Sequence, residues 1–397
     1  MPDQSSHDDV RIADYFAYHG GPFYELQRRM GLLRKDALNA RRRALVYIAI
    51  AWLVPLILAL PEGLRLTPFG QTYLTDVGVW GRFVLAIGAV VLAEEQVEER
   101  LRVKLRHFAT APLLAPESMP TAAAAVSEAL RLRNSRLAEL ACLLIAYALS
   151  LWALRHELKG ISVSWATTVS EAGMHITLAD WWALLISLPF FWFLVLRGFW
   201  RHYVWSRLLR KIAGLELRLV ANHPDGKGGL AFLADYPNAY RTFMFGLSCA
   251  LAATFAQHLT TETLSMKTLT TIMGAWLAIV LGFFAYPLSA FRAPLRRLRE
   301  ATMLATAAQA TRRLRQDERK TLSRNIAADG AAEPGADEEM PDPGKLYEGA
   351  RKLSPGLLSR GAVLPLAAMA LLPFAIVALT QIPFDDVLSL FKKLLLL

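Results

Sequence analysis

Two groups of residues in this 397-residue chain are of types that do chemistry. The first is the run NHPDGKGG, residues 222 to 229. Consecutive glycines let backbone N–H groups converge on an anion, and Lys227 adds a point charge. His223, Asp225, Lys227, Gly228 and Gly229 are therefore the candidate site for a phosphate, a nucleotide, a lipid headgroup or a protein partner. A purely local reading stands beside it. His-Pro-Asp-Gly fits a type I turn, which explains Pro224, Asp225 and Gly226 without a ligand, and the phosphate-loop pattern GxxxxGK followed by Ser or Thr is absent. His223 and Asp225 also form an acid–base pair by type. No nucleophile with a paired base, carboxylate dyad or zinc-spaced ligand set is readable beside them, so no catalytic residue, metal or cofactor is assigned.

The second group is Arg82, Glu94, Glu95 and Glu139, charges at the edges of apolar runs. Ionisable residues in a bilayer are costly and tend to face an aqueous path or one another. The alternative for each is a side chain that snorkels from a helix end to the headgroups.

These residues need elements to hold them, and composition says which. A hydrophobic fraction of 54% and a mean hydropathy of +0.31 exceed what a soluble protein usually carries. About 20 apolar residues cross the hydrocarbon core. The uncharged runs place spans near 44–61, 77–93, 137–154, 181–196, 242–258 and 268–291, with a last one after residue 361. The run 83–93 is only 11 residues long and spans only if it starts near Val77, which puts Arg82 inside the bilayer.

Charge sidedness supports that crossing. With seven spans and the N-terminus inside, the cytoplasmic segments hold 37 Lys and Arg and the other face 7. The net charge of +10 is then explained by orientation and by attraction to anionic headgroups rather than by nucleic-acid binding. The expected fold class is all-α: a polytopic integral membrane helix bundle of about seven spans, with helices extended into a cytoplasmic layer.

Four regions follow. Residues 1–43 form a cytoplasmic N-terminal segment without the pattern of a signal peptide. Its stretch Tyr15 to Leu33 is either an amphipathic element at the membrane interface or a helix packed under the bundle. Residues 44–328 form the bundle, whose second span continues along the stripe Val97, Leu101, Leu105 and Phe108, and whose fourth continues from Trp181 to about Ala221. Residues 329–361 are an acidic flexible linker, and residues 362–397 are the last span and an amphipathic tail. Cys142 and Cys249 both fall within spans, with nothing to pair them.

The tripeptide His223-Pro224-Asp225 resembles the signature of J-domain co-chaperones, which implies a soluble four-helix module of about seventy residues. The match ends at those three residues, and a membrane span lies on either side, so the assignment is set aside. The expected function is a homo-oligomeric channel or transporter of the inner membrane, for ions or small anions. The alternative is a membrane scaffold or sensor whose cytoplasmic helices and HPDGKGG loop bind a partner or an anionic ligand.

Overall fold

The computed structural model describes residues 16–33, 38–60, 72–157, 167–170, 173–258, 265–328, 343–380 and 382–396. The acidic run of the expected linker lies almost wholly outside them. Helices dominate. They are α1 (Pro22–Arg29), α2 (Ala40–Ala59), α3 (Val77–Thr110), α4 (Met119–Arg133) and α5 (Arg136–Glu157). After a two-stranded hairpin, β1 (Thr167–Ser170) with β2 (Gly173–Ile176), come α6 (Leu178–Ala213), α7 (Arg241–His258), α8 (Met266–Leu288) and α9 (Arg292–Leu322). The chain closes with α10 (Gly344–Lys352), α11 (Arg360–Ala378) and α12 (Phe384–Leu396). The all-α class holds, with the hairpin as a local departure among the described residues.

Six helices are long and apolar enough to cross a membrane: Ala40–Ala59, Val77–Thr110, Arg136–Arg155, Leu178–Ala213, Lys267–Leu322 and Arg360–Ala378. The expected seventh span, 242–258, forms α7 but is not among the six. Arg241, Thr242, Ser248, Thr254, Gln257 and His258 make its 18 residues too polar. Its position accounts for that composition: Phe243, Met244, Leu247, Cys249, Ala250, Ala252 and Ala253 are buried inside the bundle. A helix wrapped by other helices needs less apolar surface than one bathed in lipid.

The α3–α7 contact is close because both helices offer glycine. A Cβ on Gly81 would stand 2.3 Å from the Ala253 Cβ, and one on Gly246 2.8 Å from the Ala89 Cβ and 3.1 Å from the Ala86 carbonyl oxygen. Small residues at such seams let backbones approach. Gly246→Val is therefore expected to cost about 1–3 kcal/mol by overpacking, read as a lower thermal midpoint in detergent. An unchanged midpoint would mean that these helices do not meet there.

The second span begins where the charge argument required, at Val77, with the Asp76 carboxylate capping the Gly78 N–H at 2.7 Å. Its extension carries the expected stripe: Val97, Leu101, Leu105 and Phe108 are each 0% exposed. Near Pro294, the helix that follows α8 is interrupted by a 3-10 turn at Ser289–Phe291 and restarts as α9. The C-terminal α12 folds against α8 and α11, burying Val387, Leu390 and Leu394.

The fourth span needs a correction. The helix expected to reach about Ala221 ends at Ala213, with Gly214 as its C-cap. Residues beyond it run extended against 113–115, through Ala115 N–H to Glu216 O at 3.0 Å and Arg218 N–H to Leu113 O at 2.9 Å. The reason is in the residues. Leu215, Leu217 and Leu219 alternate with Glu216 and Arg218, a period of two that places all three leucines against the core as an extended segment.

Candidate functional site

Four span ends carry charge: Arg43 near the start of α2, Glu94 within α3, Glu139 near the start of α5 and Arg197 within α6. Successive helices running in alternate directions bring these positions to one level, and there the side chains meet. Glu94 bridges two guanidiniums, with Oε2 2.6 Å from Arg43 Nη1 and Oε1 2.7 Å from Arg197 Nη1. Glu139 Oε1 accepts from Arg197 Nε at 3.3 Å and from Arg201 Nη2 at 3.2 Å. All five are buried, at 5% exposure or less. Three guanidiniums face two carboxylates, so the cluster carries one excess positive charge.

The N-terminal segment seals this cluster. The backbone N–H of Phe23 donates to Glu139 Oε2 at 2.7 Å, and that of Tyr18 donates to Glu98. In the other direction Arg201 Nη2 donates to the Gly20 carbonyl at 2.8 Å, and Arg133 to that of Phe16. Arg197 lies over the Tyr18 and Phe23 rings at 5.7 and 5.4 Å, and Arg102 over Phe16 at 4.5 Å. Burial, then the Glu94 carboxylate, pushes the Tyr18 hydroxyl above its ordinary range. Of the two expectations for this stretch, packing under the bundle is the arrangement seen.

Gly20 and Gly21 permit the approach. Both have positive φ, +124° and +95°, and a Cβ on Gly21 would stand 2.6 Å from Glu139 Oε1. Arg43 also holds the segment's continuation, through Nε to the Leu38 carbonyl at 2.7 Å and Nη1 to Gln27 Oε1 at 2.9 Å. Among the described residues, Arg43 Nη2 and Gln27 Nε2 are buried with no hydrogen-bond partner. The cluster is thus rich in donors as well as in positive charge.

Of the sequence candidates, Glu94 and Glu139 come together through Arg197. Glu95, about 100° round α3 from Glu94, is exposed and takes no part in the cluster. Arg82 lies toward the other end of α3, where Nε donates to the Gly78 carbonyl at 3.1 Å. Sequence reading missed Arg43 and Arg197 as site residues because each served as a boundary marker for an apolar run, and Arg201 because it reads as part of a polar face of the helix beyond Arg197. Equal depth at alternating helix ends was the signal that pairs them.

The HPDGKGG loop folds on itself. Gly226 N–H donates to His223 O at 3.0 Å, the bond of the expected turn. Gly226, Gly228 and Gly229 have φ of +62°, +67° and +98°. The N–H groups of Lys227, Gly229 and Ala231 converge on the Asp225 carboxylate at 2.8, 3.1 and 3.0 Å. Lys227 Nζ turns away, to Ser354 Oγ at 3.0 Å and to the Gly356 carbonyl. The backbone nest is therefore filled by the chain's own carboxylate, and a solute anion would have to displace it.

No family model, characterised protein or solved structure matches this chain. The site must be read from its own geometry.

Partial burial pushes the Asp225 carboxyl up, but the amides of Lys227, Ala231 and Gly229 outweigh it and hold the group below its ordinary value. Its contribution is thus complete above an ordinary aspartate pKa of about 4 and is lost as pH falls through the lowered folded value. Asp225→Ala is expected to abolish hydrogen-exchange protection of the Lys227, Gly229 and Ala231 amides at neutral pH, as acid does for the unaltered chain. Protection that survives the substitution would show that the nest is not what orders the loop.

Proposed function

We propose that this is a multi-pass inner-membrane channel or transporter for ions or small anions, with its basic end in the cytoplasm. The observation that supports it is the convergence of Arg43, Glu94, Glu139, Arg197 and Arg201 from four span-forming helices in one buried layer. Charges kept inside a membrane bundle commonly mark an aqueous path. The excess guanidinium and the unpartnered donors of Arg43 and Gln27 favour an anion over a cation. The segment from Phe16 to Arg29 closes the path at the cytoplasmic mouth. The partition of 37 against 7 basic residues supports the sidedness, with α7 crossing as a seventh span.

Purified protein in liposomes is expected to pass chloride or nitrate faster than protein-free liposomes. Absence of flux across pH and voltage overturns the reading.

One observation favours a scaffold instead. Helix α9 buries only Leu295 and Thr306 along 31 residues and carries nine basic residues against three acidic ones, a surface open to an acidic partner. That reading requires charge reversal along α9, and not in the buried cluster, to remove function.

A further inference from the structure

Beside the HPDGKGG loop lies a cleft of about 380 Å³. Pro112, Leu113 and Leu219 give it apolar walls, while His107, Arg218 and His223 also line it. Its frame is fixed. The backbone of Arg218 is paired to Leu113, the His107 ring packs on Phe232 at 4.4 Å, and Ser354 N–H donates to the Gly226 carbonyl at 3.1 Å.

His223 is oriented by the residue that fills the nest. Its Nδ1 lies 2.8 Å from Asp225 Oδ1, closer than the Asp225 N–H at 3.3 Å, so a protonated Nδ1 donates to the carboxylate. The opposite edge of the ring, Cδ2 and Nε2, comes 3.9 and 4.0 Å from where a Cβ on Gly229 would stand, on the cleft wall. Three amide donors hold Asp225, Asp225 holds His223, and His223 presents its free edge to the cleft. The positive φ of Gly226, Gly228 and Gly229, which glycine adopts without steric cost, lets the loop turn tightly enough to achieve this.

We propose that this cleft binds a phosphate-type oxyanion attached to a small apolar body, with Arg218 and His223 as its direct ligands and His107 as a further polar group on its wall. Arg218 offers the fork that matches a phosphate, and His223, held at Nδ1 by Asp225, turns Nε2 to it, accepting from a phosphate P–O–H when neutral and donating to P–O⁻ as imidazolium. Pro112, Leu113 and Leu219 take the apolar part. The anion is held by side chains facing the cleft, whereas the nest amides hold Asp225 and the Lys227 ammonium lies outside the cleft lining, at Ser354 and Gly356.

The test uses full-length protein in phosphatidylcholine nanodiscs. Inorganic phosphate is titrated in one arm, followed by 31P NMR. In the other, phosphatidic acid is added to the nanodisc lipid and its retention is counted by native mass spectrometry. Saturable binding in the first arm identifies a soluble phosphate source, and in the second alone a lipid headgroup. Arg218→Gln and His223→Gln are each expected to weaken binding about tenfold, the scale of one charge-assisted hydrogen bond. Lys227→Gln removes the same charge from the same loop region and is expected to leave binding within about twofold, because its ammonium faces Ser354 and Gly356. Saturable binding in neither arm, or equal weakening by Lys227→Gln and Arg218→Gln, overturns the proposal.

Discussion

Glu94→Ala is expected to be among the most damaging single changes in the chain. It removes the carboxylate between Arg43 and Arg197, both buried and both within 2.7 Å of it, and leaves Arg197 with Glu139 and Arg43 with no carboxylate, only Gln27 Oε1 and the Leu38 carbonyl. Stripping one partner from a buried ion pair costs about 3–5 kcal/mol, because the remaining charge stays desolvated without compensation. A stability of about 5–15 kcal/mol would lose a large share of its margin. Cys142 and Cys249 provide the reporter, since both are free and buried: a thiol-reactive dye labels them as the bundle opens on heating. The double variant Arg43→Leu with Glu94→Leu is expected to be less destabilised than the sum of its single variants, with a coupling of about 0.5–3 kcal/mol. Additive losses would mean that the two side chains do not act as a pair.

Gly21→Val has the second large effect, and a different one. The residue sits at φ +95° and ψ 164°, a region that glycine alone occupies readily, and its new side chain would meet Glu139. Glu139 cannot swing aside, being tied to Arg197, Arg201 and the Phe23 N–H. Backbone strain of about 1–3 kcal/mol then favours undocking of the segment, roughly a 5- to 150-fold shift in its equilibrium. Trypsin cleavage after Arg28 and Arg29 is expected to speed up accordingly. In liposomes the same variant is expected to raise anion flux. Unchanged cleavage would mean that the segment is not held by these contacts, and faster cleavage with unchanged flux would mean that it does not gate.

What was legible beforehand were properties that depend on residues a few positions apart. The stripe of α3 from Val97 to Phe108 and the turn at His223 to Gly226 each follow from local spacing, the start of α3 at Val77 being the exception, reached through the chain-wide partition of charge. The end of α6 was missed where two periods overlap. Leu215 and Leu219 satisfy a helical step of four, but Leu217 between them satisfies only the alternation of an extended segment, and pairing with Leu113–Ala115 decides it. The charge cluster was half legible. Glu94 and Glu139 stood out as acidic residues beside apolar runs, whereas Arg197 joins Glu94 across a separation of 103 residues that no local pattern encodes. The closing segment was less legible still, because its strongest bonds are made by main-chain groups of Phe16, Tyr18, Gly20 and Phe23, which carry no residue-type signal.

The order in which these contacts become available has a consequence for biogenesis. Tyr18, Gly20 and Phe23 leave the ribosome before the groups that bind them: Glu98, Glu139 and Arg201 follow 80, 116 and 181 residues later. The segment must therefore wait undocked while α3, α5 and α6 are made. It can seat itself only once α6 has delivered its arginines. Docking of that segment marks the completion of the helices through α6, and a nascent chain stalled before Arg201 would still offer the segment's aromatic residues to chaperones or proteases.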